Sequence, residues 1–161
     1  MEDIELGVLE KRIRKPRRPQ LVILFITLVQ LGLCLVFFNF YDVMFNMSSH
    51  GTAGLVGAAM SGLSQSLLQL LTKKYNYDAI VKFQVWGVMN GIWTRFWTEQ
   101  LSTTFSRWPI KVLLDQAFGN PFAVFALTSL SAFWEGYDID LYLQETYFQD
   151  LKVSLFIWPI A

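Results

Sequence analysis

An uncharged run of twenty residues, Leu21 to Phe40, is the clearest element in the chain. As a helix rising about 1.5 Å per residue it would cover about 30 Å, the thickness of a bilayer's hydrocarbon core. The polar cluster Asn46, Ser48, Ser49, His50 and Gly51 breaks this pattern, and a second uncharged run extends from Thr52 to Thr72 before Lys73 and Lys74. A third candidate span runs from about Ala79 to Leu101 and carries Lys82, Arg95 and Glu99. The fourth runs from Pro109 to about Phe133; a proline suits the first turn of a helix, where its missing N–H has no partner to lose. From Trp134 to Asp150 the chain has five acidic residues and no basic one, which predicts an acidic loop or surface helix outside the hydrocarbon. The last nine residues, Val153 to Ala161, are apolar but too few to cross as a helix, so a re-entrant or incomplete fifth segment is expected.

Composition gives the same class. Hydrophobic residues are 53% of the chain and charged residues 16%, against roughly 25% charged in a soluble domain, and the mean hydropathy is +0.36. The expected fold is an all-α integral membrane protein, a bundle of four transmembrane helices plus a partial fifth segment, and not a soluble enzyme. Net charge is zero, but six of the thirteen basic residues stand together just before the first apolar run: Lys11, Arg12, Arg14, Lys15, Arg17 and Arg18. Such an arm orients a span rather than binding nucleic acid, and with it on the matrix or cytosolic side Lys73 and Lys74 return to that side. The third and fourth spans then form a hairpin whose loop, near Ser102 to Trp108, faces the opposite side; Arg107 in that loop runs against the charge bias. The run from Leu21 exceeds a signal-peptide core and no A-x-A-like site follows it, so a retained anchor is expected. Glu2, Asp3, Glu5 and Glu10 are unlike a mitochondrial presequence, so any import would use internal signals.

Chemistry-bearing constellations are few. Cys34 is the single cysteine and His50 the single histidine, which leaves no disulfide and no paired metal ligands within one chain. No nucleophile stands near a base and no glycine loop could cradle phosphate, so no cofactor, no metal and no enzymatic role are expected. The tryptophans mostly flank the spans, where interfacial anchoring explains them.

Two rows of small residues stand out. Gly54, Ala58 and Gly62 recur every four residues in the second span beside a row of Gly57, Ser61, Gln65 and Gln69; Gly87 and Gly91 do so in the third. Small residues let helix backbones approach closely in lipid, where association depends on packing. Gln65 and Gln69 either bond across that contact or line a wet cavity. Arg95 and Glu99 continue the third-span row; they either pair at the interface or line a channel, since ionisable groups at depth face a bundle interior or water. Lys111 and Asp115 are again a pair four apart, followed by Gln116 and by Asn120–Pro121, where a kink is expected. Counting from the hairpin turn puts Arg95 level with Asp115 and Glu99 level with Lys111, which predicts that these four charges meet in two layers.

The order of these pieces resembles the Mpv-seventeen and twenty-two-kilodalton peroxisomal membrane protein family. The residues that carry the resemblance are TAGLVGAAMSGLSQSLLQ from Thr52, GVMNGIWTRFWTEQL from Gly87, KVLLDQAFGNP from Lys111 and the late pair Trp158–Pro159. Two positions depart from the family pattern: Ser64 precedes Gln65 where an aspartate is usual, and Ile92 follows Gly91 where a proline is usual. The resulting division is a basic arm over 1–20, an extra N-terminal transmembrane helix over 21–45, and a family-like bundle over 50–161 with the acidic loop at 134–150. The resemblance implies a small channel-like protein of the mitochondrial inner membrane or the peroxisomal membrane, contributing to solute permeability and mitochondrial homeostasis. Of the two membranes the mitochondrial one is expected, there being no peroxisomal C-terminal tripeptide. The competing reading is an accessory subunit of a large mitochondrial membrane complex that keeps the fold without transport. Beyond the lipid bilayer, other membrane subunits or self-association are the expected partners.

Overall fold

The computed structural model describes residues 19–157; the arm up to position 18 and the Trp158–Pro159 pair lie outside them. Among the described residues the chain is helix and turn without strand. The order is α1 Pro19–Asn39, α2 Tyr41–Met47, α3 Ser49–Thr72, α4 Tyr77–Thr104 and α5 Trp108–Glu135, followed by α6 over residues 139–157. α1, α3 and α5 are each long and apolar enough to cross a membrane. α4 is longer than α1 or α3, at 28 residues, but Asp78, Lys82, Arg95 and Glu99 lower its hydropathy. Counting it as a fourth span rests on its pairing with α3, beside which it runs antiparallel.

That the protein is a membrane protein is visible in what it hides. Thr27, Gln30, Thr52, Ser66, Gln69, Lys82, Asn120 and Thr128 are buried, while Phe25, Phe38, Leu71, Phe118 and Phe133 point outward. A soluble domain would bury the second set and solvate the first. In lipid the outer apolar surface costs nothing, and the polar groups turn inward to find partners.

The boundaries follow from local chemistry. At the end of α1, Phe40 leaves helical geometry (φ −105°, ψ 13°) and the Asn39 side chain donates back to the Leu35 carbonyl, which separates α1 from α2. Ser48 caps α3 by accepting from the Gly51 N–H at 3.1 Å, and Asn76 caps α4 by accepting from Ala79. Between them the turn passes through Lys73 in the left-handed region (φ 56°). α5 ends at Gly136 (φ 74°), where glycine is needed for the left-handed cap and the Tyr137 N–H reaches back to the Ala132 carbonyl.

The α3–α4 contact is backbone on backbone. A Cβ at Gly57 would overlap the Gly87 carbonyl, one at Gly87 the Gly57 carbonyl, and one at Gly91 the Ala53 carbonyl. Gly54 lies under Ile92, so the isoleucine that replaces the family's usual proline fills the space over a glycine. The Cα of Ala58 lies against Gly87 in the same contact. Gly62 acts differently, leaving room for the side chains of Gln30 and Gln84. There α1 is fastened to α3 by a buried Ser66 hydroxyl donating to the Gln30 side-chain oxygen at 2.7 Å.

The acidic stretch at 134–150, expected as a loop or surface helix, is helical from Ile139 onward. Asp138 caps that helix by accepting from the Asp140 and Leu141 N–H groups, which is why an acid-rich segment can start one. α6 then runs back beside α5, with the Tyr147 hydroxyl on the Pro121 carbonyl and the Ser154 hydroxyl donating to Asn120 at 2.5 Å.

Candidate functional site

The other face of α4 meets α5 and α6 loosely. Trp93 stacks on Trp97 with centroids 5.7 Å apart and leans on Phe122 of α5 at 4.2 Å. The indole N–H of Trp97 donates to the Asp115 carboxylate at 2.9 Å, part-buried, so a charge-assisted bond joins the two helices at this level. Gly119 makes that bond possible, because a Cβ there would collide with both Asp115 Oδ1 and Trp97 Nε1. Asp115–Gly119 is a π-helical turn, its extra residue letting the Asn120 N–H bond the Asp115 carbonyl five residues back. Pro121 follows directly. A proline inside a helix lacks the N–H and crowds the carbonyl four residues before it; the widened turn relieves that crowding, and α5 continues to Glu135.

Side chains this large, with a widened turn opposite them, leave space. A cavity of about 440 Å³ lies between α4 and α5, lined among others by Thr98, Ser102, Lys111, Asp115 and Gln116. A second, of about 410 Å³, lies between α4, α5 and α6 and is lined among others by Trp86, Asp150 and Ser154. Both are bounded by the same three residues, Asn90, Asn120 and Ala123. Asn120 is 4% exposed and donates to Gln116 at 3.4 Å while accepting from Ser154.

Of the residues singled out from sequence, Lys111, Asp115 and Gln116 come together on the first cavity. Arg95 and Glu99 do not join them. They pair with each other at 3.6 Å, and the Arg95 guanidinium lies over the Phe45 ring of α2 at 4.9 Å, on the side of α4 away from Asp115. The expected two-layer meeting of Arg95 with Asp115 and Glu99 with Lys111 is therefore absent among the described residues; Trp97, two positions beyond Arg95, is the residue that reaches Asp115. Gln69 lines neither cavity: 3% exposed, it clasps the α3–α4 turn, donating to the Asn76 carbonyl at 2.7 Å and accepting from its N–H at 2.8 Å. Gln65 is half-buried on α3 and also lines neither.

Several residues of this region gave no signal in sequence. Asn90 sits inside GVMNG, where the glycines draw the attention, and Ser154 lies in a short apolar tail. Lys82 appeared only as a charge in a span; here it bonds Glu135 at 2.5 Å and ties the start of α4 to the end of α5. Its partner lies 53 positions away, beyond any helical spacing rule.

No family model matches the chain, and no solved structure does. A curated protein, PXMP2/4 family protein 3 of Dictyostelium discoideum, is 28% identical over 121 residues. That match covers 68% of this chain and 65% of the relative, so it spans just under two thirds of the relative's own length. The ordered motifs and this relative agree, so the chain is similar to the PXMP2/4 family, the Mpv-seventeen and twenty-two-kilodalton peroxisomal membrane protein family that those motifs resemble.

Proposed function

We propose that the chain is a channel-like protein, not an enzyme, that lets small solutes cross its membrane along the face where α4 meets α5 and α6. One observation carries this reading: two cavities at different depths, mainly apolar but each carrying polar and charged side chains, share the same boundary residues. From Ser102, which lines the first, to Trp86, which lines the second, is sixteen residues of α4 (102 minus 86), or about 24 Å of rise. A hydrocarbon core is roughly 30 Å thick, so the two cavities in series cover most of it. Ionisable groups at such depth are kept where they line a water-filled route or a polar interior, and Lys111 and Asp115 lie on this one.

The test is reconstitution of the whole chain into phosphatidylcholine vesicles, with solute uptake followed by light scattering against protein-free vesicles. Uptake above that background is the expected result. No uptake, together with migration in native electrophoresis as part of a large complex, would instead support the accessory-subunit reading. Of the two membranes the motifs imply, the peroxisomal one matches the family name of the relative, and the mitochondrial inner membrane with its homeostatic role is a separate proposal. Fractionation against markers of both organelles decides between them.

A further inference from the structure

The boundary shared by the two cavities differs in chemistry from what lies on either side of it. Lys111 and Asp115 line only the first cavity and Asp150 only the second. Between them stand Asn90, Asn120 and the methyl of Ala123, two amides and no charge. Asn120 is held from both sides, since Gln116 takes its amide N–H and the Ser154 hydroxyl bonds its oxygen. It is therefore fixed in place, with one of its two N–H groups and one of its oxygen's two lone pairs already in use. Among the described residues nothing bonds the Asn90 amide, and Asn90 is half-buried on the boundary. Its donors and acceptor are free for a passing molecule.

Resting on the reading of this face as a solute path, we infer that Asn120 is its selectivity-determining constriction, with Asn90 as the group that solutes bond, and that the solutes are small, uncharged and hydrogen-bonding, of the polyol class. An ion entering this boundary would exchange its hydration shell for one free amide, which cannot offset the loss of water. A polyol exchanges a few neutral hydrogen bonds for others of similar strength. Size is set by the Asn120 side chain, which Ser154 and Gln116 keep from swinging aside.

The experiment uses the whole chain in phosphatidylcholine vesicles with glycerol, sorbitol and K⁺ as probes. Wild type is expected to pass glycerol faster than sorbitol and to exclude K⁺. Asn120→Ala should raise the sorbitol-to-glycerol ratio, and Ser154→Ala, which only releases the Asn120 amide, should raise it less. Asn90→Leu should slow glycerol about fivefold, the factor carried by one lost hydrogen bond. Because each variant changes a different helix or a different atom, one that fails to fold leaves the other two to decide; elution from a sizing column as for wild type identifies those that fold. If wild type passes no solute, the path itself falls and the constriction with it. If wild type passes glycerol but none of the folded variants changes rate or ratio, the constriction is wrong and the path stands. If K⁺ passes as readily as glycerol, the assigned solute class is wrong.

Discussion

The two sides of α4 are built on opposite terms. Toward α3, Gly87 and Gly91 meet Gly57, Ala53 and Gly54 so closely that a single methyl has no room. Toward α5, the same helix presents Asn90, Trp93 and Trp97, and its long side chains hold the neighbour off and leave cavities. Gly87 and Gly91, four apart, share one face, while Trp93 and Trp97, each six residues after one of them, fall about 120° around the axis at 100° per residue, so one sequence of 3.6-residue period can carry both surfaces. The difference teaches where each role is filled. Backbone contact with α3 leaves nothing to adjust and so sets the frame; the side-chain contact with α5 and α6 has polar groups, space and alternatives, which is what a solute route requires.

The sharpest way to break this comparison is to give the tight side a side chain. Gly87→Val places two methyls against the Gly57 carbonyl and should destabilise the bundle by about 3 kcal/mol or more, the upper end of the overpacking range. Thermal unfolding in detergent measures it. A Gly87→Val protein as stable as wild type would mean that α3 and α4 are not in backbone contact.

Next in size is the ion pair that closes the loose side. Lys82 is 9% exposed, whereas the Glu135 side chain keeps 40% of its surface, so the two halves are not equivalent. Glu135→Ala leaves a lysine with little water and should cost about 2 kcal/mol, below the range of a fully buried pair because of that partial exposure. Lys82→Ala leaves a carboxylate that water can reach and should cost roughly half as much. Equal losses in the two single variants would contradict the asymmetry.

Gly119→Ala is smaller and more local. Its Cβ occupies the point where the Trp97 N–H meets Asp115, so that bond lengthens or breaks, a loss of about 1.5 kcal/mol for a part-buried bond to a charged group. The tryptophan should report it directly as a change in fluorescence that Asp115→Asn only partly reproduces, since the amide oxygen still accepts. Unchanged emission in Gly119→Ala would show that the Trp97–Asp115 bond does not need glycine at that position.

The sequence makes some of this legible and hides the rest for identifiable reasons. Uncharged runs announce α1 and α3, and an apolar run interrupted by Lys111 and Asp115 announces α5, because hydropathy is a property of each segment alone; the glycine rows announce a close α3–α4 approach, because a helix repeats its own faces. Gly57, in the row beside the expected one, is nevertheless among the tightest contacts, since a row of small residues does not say which of two adjacent stripes meets the partner. Gln69 reads from sequence as cavity lining or interhelical glue and is in fact a turn clasp, because its partner is a backbone group seven residues on that no pattern of side chains advertises. The acidic stretch reads as a solvated loop or surface helix, and the cap that makes it a helix is the aspartate near its start.

Arg95 and Asp115 give the smallest effect and the most exact check of which face of α4 each belongs to. Counting residues from the hairpin turn fixes height along the axis, and height alone makes the two charges partners. It says nothing of direction around the axis. Arg95 turns toward α2, where its guanidinium lies over Phe45 and its partner is Glu99, while Asp115 is met by Trp97, about 200° around α4 from Arg95 at 100° per residue. A cation over an aromatic ring at a partly exposed site stabilises by about 0.5 to 1 kcal/mol, and an exposed pair four residues apart adds a few tenths, so Arg95→Ala should cost about 1 kcal/mol. Because Arg95 and Asp115 share no partner, the double variant Arg95→Ala with Asp115→Ala should lose the sum of the single losses to within about 0.5 kcal/mol. Phe45→Leu with Arg95→Ala, by contrast, should lose less than the sum. A double-mutant cycle in detergent that found strong coupling between Arg95 and Asp115, and none between Arg95 and Phe45, would turn α4 about its axis and exchange the frame and the route.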